Sequence, residues 1–165
     1  MFTQVDVKEA VRRSIQTEKN AMDFYARGAA QIKNVDARKV FELLAREERE
    51  HAHWFHNVYS GDDIPDLEAF LNSGPAVDSD WLKDLEKVGF ANLDERKAME
   101  LAMEKEKKLA VHLRELAAKI ESPEVRMVFE QNARSTDNHY QLIESEYARL
   151  MGMVHESDID TFVRE

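Results

Sequence analysis

A chain of 165 residues with only five glycines, three prolines and 34% charged residues predicts one largely helical domain. Its net charge of −10 argues against a nucleic-acid partner, since phosphate binding needs a concentrated basic surface. Because the chain lacks cysteine, any metal must be held by oxygen and nitrogen atoms. No signal-peptide pattern and no apolar run of bilayer length occur, which predicts a cytoplasmic protein without membrane contact.

Apolar residues spaced three and four apart predict a first helical hairpin over about residues 5–59. Its first helix extends to about residue 33, and a turn at Asn34-Val35 leads into the second. Asp36 is the predicted N-cap of this second helix, since a short acidic side chain can accept hydrogen bonds from the free backbone N–H groups there.

Residues 60–91 are predicted to form a long crossover between two hairpins. The segment contains turn-forming stretches and two short apolar patches, at residues 67–71 and 81–88. About thirty residues are enough to return along the length of a helical bundle, so the second hairpin can start at the opposite end from where the first one finishes.

The second hairpin is predicted over about residues 92–151. Asn92 is its expected N-cap, with Glu95 completing a capping box. The hairpin's second helix begins at Pro123, a favoured first helical residue, and Gly152 is expected to end it. The tail, residues 152–165, is predicted to contain a short last helix.

The two hairpins repeat each other at an offset of 88 residues. Glu18-Lys19 recurs as Glu106-Lys107, and Val40-Phe41-Glu42 recurs as Val128-Phe129-Glu130. Each hairpin has one apolar face, and the two faces can bury each other. The sequence therefore predicts an all-α fold, a single domain spanning residues 1–165 and built as a four-helix bundle with a long crossover.

Five polar residues lie on the faces that should be apolar, and counting from the predicted turns places them in one layer of the bundle. Three buried carboxylates in such a layer need a compensating cation. A single Glu or His on an apolar face is usually an ordinary hydrogen-bonded residue, whereas five in register favour a metal site for iron, manganese or zinc. The candidate ligands are Glu18, Glu48, His51, Glu106 and His139.

The repeat is broken where Thr136 takes the position that corresponds to Glu48. A threonine hydroxyl cannot bridge two metals as a carboxylate does, so the pattern leaves open whether one metal or two are bound. Asp137 could replace it only if the helix bulged, and Asn132 lies one turn away.

Four further aromatic or imidazole side chains are not among the candidate ligands. Tyr25 is expected to pack in the core or, alternatively, to line the site. His56 and His112 are the histidines best placed to contact the ligands from outside, whereas His53 is expected at the surface.

At residues 14–25 and 41–51 the chain resembles the rubrerythrin branch of the ferritin-like di-iron proteins, and the resemblance extends over both hairpins. It implies a ferritin-like bundle whose candidate ligands hold iron, two ions or one, and a non-haem peroxidase or oxidoreductase that reacts with peroxide or dioxygen. Because the cysteines of a rubredoxin module are absent, electrons would come from an external donor protein. The alternatives are a non-catalytic module that binds or handles iron or zinc, and a scaffold with a decayed site. A homodimer is expected.

Overall fold

The computed structural model describes residues 1–87 and 94–163, with side chains described as far as Gly152. These residues contain helices and no strand, which confirms the predicted all-α fold. The helices are α1 (Gln4–Gln31), α2 (Val35–Asn57), α3 (Leu67–Leu71), α4 (Asp80–Lys87), α5 (Glu95–Ala117) and α6 (Pro123–Val163).

The four long helices form two hairpins that pack as a bundle, with α1 along α2, α5 along α6, and α2 against α6. The start of α1 lies at the end of α5, because the Phe2 N–H donates to the Lys119 carbonyl at 2.9 Å. At the other end, the Lys33 and Asn34 N–H groups both donate to Glu95 Oε1 at 2.8 Å. Helices α1 and α5 are therefore antiparallel, as a bundle with one long crossover requires.

Aromatic side chains join the two hairpins in the core. Phe55 of α2 meets Phe129 of α6 edge to face, with ring centroids 4.9 Å apart, and both rings are fully buried. Within the first hairpin, Tyr25 packs against Phe41 in the same geometry at 5.2 Å. Each such pair adds ~0.5–1.5 kcal/mol to the gain from apolar burial. The Phe55–Phe129 pair therefore helps to hold the two hairpins together.

The crossover is anchored to α1 by one aromatic and one charged contact. Trp81 of α4 packs on Phe24 with ring centroids 5.3 Å apart. The buried ammonium group of Lys19 donates to Asp23 Oδ2 at 2.8 Å and to the carbonyl of Gly74. Lys19 adjoins Glu18 in sequence, yet its ammonium group forms an ion pair with Asp23 and a hydrogen bond with the crossover. It does not pair with the carboxylates of the predicted site.

The structure corrects the predicted start of the second helix. Asn34, not Asp36, is the N-cap of α2, because its Oδ1 accepts from the Ala37 N–H at 3.0 Å. This places Asp36 inside the first turn, where a carboxylate is still favourable beside the helix dipole.

Two boundaries of the second hairpin also differ from the prediction, while the predicted start at Pro123 is confirmed. Asn92 lies outside the described residues, and Asp94 caps α5 by accepting from the N–H groups of Arg96 and Lys97. The prediction that Gly152 ends α6 is wrong, since the helix continues to Val163. A single glycine costs a helix only about 1 kcal/mol, which is too little to end it without a further stop signal.

Throughout the part of the chain that the structure describes, no helix combines the length and apolar character needed to cross a membrane.

Candidate metal centre

The four long helices bring the five predicted ligands into one buried layer. Two groups of side chains form there, and in each group the candidate ligand atoms all lie within 4.8 Å of one another. The first group takes Glu18 from α1 and Glu48 and His51 from α2, and the second combines Glu48 with Glu106 from α5 and His139 from α6. None of these side chains is more than 2% exposed, and Glu48 belongs to both groups.

Both imidazole rings turn the same nitrogen toward the carboxylates. His51 Nδ1 lies 3.5 Å from Glu18 Oε2 and 3.4 Å from Glu48 Oε2. His139 Nδ1 lies 2.9 Å from Glu48 Oε1 and 3.7 Å from Glu106 Oε1. The rings are nearly parallel, at an angle of 4° with centroids 5.0 Å apart. Two Nδ1 atoms therefore flank the shared carboxylate of Glu48 on the side where metal ions could bind.

The opposite ring nitrogens face two residues that the sequence analysis did not single out. His51 Nε2 lies 2.7 Å from Ser135 Oγ, and His139 Nε2 lies 3.2 Å from Glu47 Oε2. Polar partners on the far side of a metal-binding histidine fix its tautomer and ring orientation. Glu47 has 41% of its side chain exposed and belongs to an acidic run, so nothing in the sequence distinguishes it from a solvated helix residue.

Tyr25 has both of the roles that the sequence left open. Its ring packs in the aromatic core, and its hydroxyl donates to Glu106 Oε1 at 2.6 Å. Burial and the neighbouring Glu106 carboxylate raise the pKa of Tyr25 well above its ordinary value, so the phenol keeps its proton and remains a donor. One oxygen of Glu106 is therefore already engaged by the protein.

The residues around the broken repeat position offer no replacement carboxylate. Thr136 is fully buried, and its hydroxyl donates to the Asn132 carbonyl of its own helix at 2.8 Å. The Asn132 side-chain amide donates to the Val128 carbonyl at 2.8 Å, while its Oδ1 is buried without a hydrogen-bond partner among the described residues. Asp137 has 44% of its side chain exposed and pairs with Arg114, so it does not join the buried layer.

Contrary to the possibility considered for them, His56 and His112 show no hydrogen bond or ion pair to a candidate ligand within the described part of the chain, and the His155 side chain lies outside it. His56 Nε2 contacts the Ile64 carbonyl of the crossover at 2.8 Å, and His112 is exposed on α5. His53, as expected, is near the surface and pairs with Glu68 at 2.6 Å.

The buried layer has the donor atoms that a divalent cation requires. Among the described residues, both oxygens of Glu18 and of Glu48, Oε2 of Glu106, Nδ1 of both histidines and Nε2 of His139 are buried without a hydrogen-bond partner of good geometry. Buried polar atoms left in this state cost several kcal/mol unless something else satisfies them. Converging carboxylate oxygens and imidazole nitrogens suit iron, manganese or zinc, so the residues present fit a metal centre.

Protons compensate the buried charges when no metal is bound. Burial and the nearby Glu48 carboxylate raise the pKa of Glu18 well above its ordinary value, and the same causes raise the pKa of Glu106 to about 7. Burial alone would lower the histidine pKa values, but Glu48 and the other carboxylates raise them to about 10 for His51 and about 11 for His139. Burial opposes ionisation of Glu48 too, yet its interaction with the protonated Glu18 carboxyl beside it and the attraction of His51 hold its pKa well below the ordinary range.

These pKa shifts predict that the metal-free protein loses stability as the pH rises from about 5 to 9. The folded protein keeps a proton on Glu106 up to a pKa of about 7, while the unfolded chain releases it near 4.5. The two histidines likewise stay protonated when folded beyond the unfolded value of 6.5. In each case the unfolded state binds fewer protons, so the free energy of unfolding falls with pH.

Thermal unfolding of the metal-free protein at several pH values, followed by circular dichroism, measures this effect. We expect the midpoint temperature to fall steadily between pH 5 and 9, and to fall less in the metal-loaded protein, because metal binding displaces the same protons. A midpoint that rises or stays constant over this range in the metal-free protein would contradict the assignment.

Comparison with known proteins agrees with this geometry. A family model described as Rubrerythrin matches residues 9–147, a range that includes all five candidate ligands. Neither the search of curated proteins nor the search of solved structures found a match to the chain. With a family match over most of its length and a buried carboxylate and histidine centre inside a helical bundle, the chain belongs to the rubrerythrin family.

Proposed function

We propose that the protein binds two iron ions that share Glu48 and uses them to react with hydrogen peroxide or dioxygen, with electrons from an external donor protein. The observation that carries this proposal is the pair of ligand groups meeting at one carboxylate, each with its own second glutamate and its own histidine. Dinuclear carboxylate centres in helical bundles have the same ligands and one further carboxylate, whose position Thr136 takes here.

Each ion would be held by three side chains, one of which is shared. Glu18, Glu48 and His51 would hold one ion, and Glu48, Glu106 and His139 the other. Bound iron supplies a metal that can change its charge by one electron and accept a small oxidant as a ligand.

Other side chains position these ligands. Ser135 Oγ contacts the outer nitrogen of His51, the Glu47 carboxylate lies 3.2 Å from that of His139, and the Tyr25 hydroxyl donates to Glu106. Burial of the whole layer keeps bulk water away from the carboxylates, which strengthens their attraction for a cation.

The two ions should bind with different affinities. Glu18 has both carboxylate oxygens free of hydrogen bonds, whereas Glu106 has one oxygen engaged by Tyr25. Neither group receives a carboxylate from the described side chains of α6, where Thr136 has its hydroxyl bonded to the helix backbone. We therefore assign the tighter ion to the group containing Glu18 and His51, and the weaker ion to the group containing Glu106 and His139.

Replacing Thr136 with glutamate is expected to tighten the weaker ion by ~10-fold or more, because a carboxylate would enter the buried layer one turn from His139 on the same helix face. Anaerobic titration with ferrous iron, followed by calorimetry, gives both affinities. Thr136→Gln is the matched control, since it adds nearly the same volume without the charge. Equal affinities in the two variants would show that the missing carboxylate does not limit the second site.

The proposed reaction is tested by mixing the anaerobically loaded ferrous protein with peroxide or with dioxygen in a stopped-flow spectrometer. We expect the iron to be oxidised within the mixing experiment, and repeated turnover when a chemical reductant is supplied. The same experiment on Glu48→Gln, which loses the shared ligand, should give only the background reaction of free iron. Iron that stays ferrous in the presence of both oxidants would overturn the proposal.

The second candidate function is an iron-binding or iron-handling module without sustained turnover. Thr136 favours it, since a centre without the α6 carboxylate holds its second ion less firmly and can release it. This alternative predicts that ferrous iron passes reversibly to a competing chelator at a rate that peroxide does not change, and that no reductant-dependent turnover occurs.

A further inference from the structure

A cavity of about 410 Å³ lies between α1 and α5, beside the metal centre. Helix α4 covers the groove between these helices at one end, where Trp81 packs on Phe24 and Asp84 binds Lys105 at 2.5 Å. Toward the start of α1, helix α4 does not cover the groove, and this uncovered part of the groove is the cavity. Glu18, a candidate metal ligand that is 1% exposed, is one of its lining residues.

The cavity is much larger than the proposed oxidants require. One water molecule takes up ~30 Å³ in the liquid, and peroxide or dioxygen is of similar size, whereas pockets for organic ligands begin near ~300 Å³. The deeper walls are apolar and come from both helices, with Ala10 on α1 and Leu109 and Leu113 on α5. Displacing water from such walls favours an apolar occupant.

The charged groups at the cavity do not favour an anionic ligand. The acidic Asp6 and Glu9 line it together with Arg13 and His112, and the Arg13 guanidinium pairs with Glu9 at 3.3 Å. The metal-free cavity therefore offers a fatty-acid carboxylate no excess of positive charge, whereas a neutral molecule needs none.

We propose that this cavity binds a neutral, mainly apolar organic molecule with one polar end, which is placed next to Glu18 and so next to the metal centre. The inference rests on the proposed function only in assigning Glu18 to that centre, because the apolar walls exist without metal. The protein would thus bind an organic ligand that is larger than peroxide or dioxygen.

The test is calorimetric titration of the full chain with 1-octanol, metal-free and iron-loaded. We expect one octanol per chain in both forms, and at least tenfold weaker binding of octanoate than of octanol by the metal-free protein. Ala10→Leu and Thr17→Leu, both in the cavity wall, should each weaken octanol binding at least tenfold. Ala30→Leu is the matched control, since Ala30 is exposed on α1 outside the cavity, and it should bind octanol like the unaltered protein.

The failure of this inference is distinguishable from failure of the proposed function. Absence of octanol binding by the unaltered chain, or equal binding by all three variants, overturns the inference, whatever the iron content. Octanol binding that both cavity variants weaken supports it, even when the iron count or the peroxide reaction fails to match the proposed function. Circular dichroism of each variant confirms that a loss of binding comes from a folded protein.

Discussion

Replacing Glu48 with glutamine is expected to weaken binding of both metal ions by at least ~100-fold, the largest effect of any single ligand substitution. Changes to residues that only orient ligands already cost ~10–100-fold in metal affinity, and Glu48 is itself a candidate ligand of both ions. Glutamine keeps the size of the side chain but removes the negative charge that lies 2.9 Å from His139 Nδ1 and 3.4 Å from His51 Nδ1. Anaerobic ferrous titration followed by iron analysis of the desalted protein gives the measurement.

Glu50→Gln is the control for this experiment, because Glu50 lies on the same helix but is exposed to solvent. It changes the net charge of the protein by the same amount and should leave both affinities unaltered. If Glu48→Gln lost only one ion, the carboxylate would not be shared and the two ligand groups would be independent. If it lost neither, Glu48 would not be a ligand.

Removing the metal is expected to lower the thermal unfolding temperature by ~8–16 °C. An ion present at a thousand times its dissociation constant stabilises the folded state by ~4 kcal/mol. For a chain of this size, each kcal/mol shifts the unfolding temperature by ~2–4 °C. The physical cause is that the ion satisfies buried oxygen and nitrogen atoms that have no hydrogen-bond partner among the described residues.

Differential scanning calorimetry of the loaded protein and of the same sample after chelation measures this difference. At the same metal concentration Glu48→Gln should show a metal-dependent shift of no more than ~3–6 °C, since binding weakened ~100-fold stabilises the folded state by only ~1.4 kcal/mol. An equal shift in the unaltered protein and in Glu48→Gln would place the stabilising metal outside the buried layer.

The sequence predicted that the candidate ligands would share one layer, because their heights follow from helix geometry, while their binding of metal stays a prediction. Glu18 and His51 lie at equal distances from one turn, and Glu106 and His139 from the other, so antiparallel helices of equal rise bring each pair to the same height. No knowledge of packing was needed for that step.

The contacts that the ligands make with other side chains could not be predicted in the same way, although Tyr25 was a candidate to line the site. The Tyr25 hydroxyl meets Glu106 across 81 positions of the sequence, and Glu47 meets His139 from a run of acidic residues that look alike. These contacts depend on the direction of individual side chains between helices, which a repeat pattern does not encode.

Helix ends showed the same limit. Asn34 and Asp36 are both good capping residues, and only the backbone conformation of Asn34 decides between them. Gly152 carries the usual signal for a helix end, yet α6 continues through it.

Two groups of candidate ligands meet at Glu48, and we propose that they hold two metal ions. Anaerobic titration of the metal-free protein with ferrous iron, with iron counted per chain, tests this most directly. We expect two ions per chain in two steps of different affinity, the weaker one tightened by Thr136→Glu. A single ion per chain, or none, would contradict the shared centre.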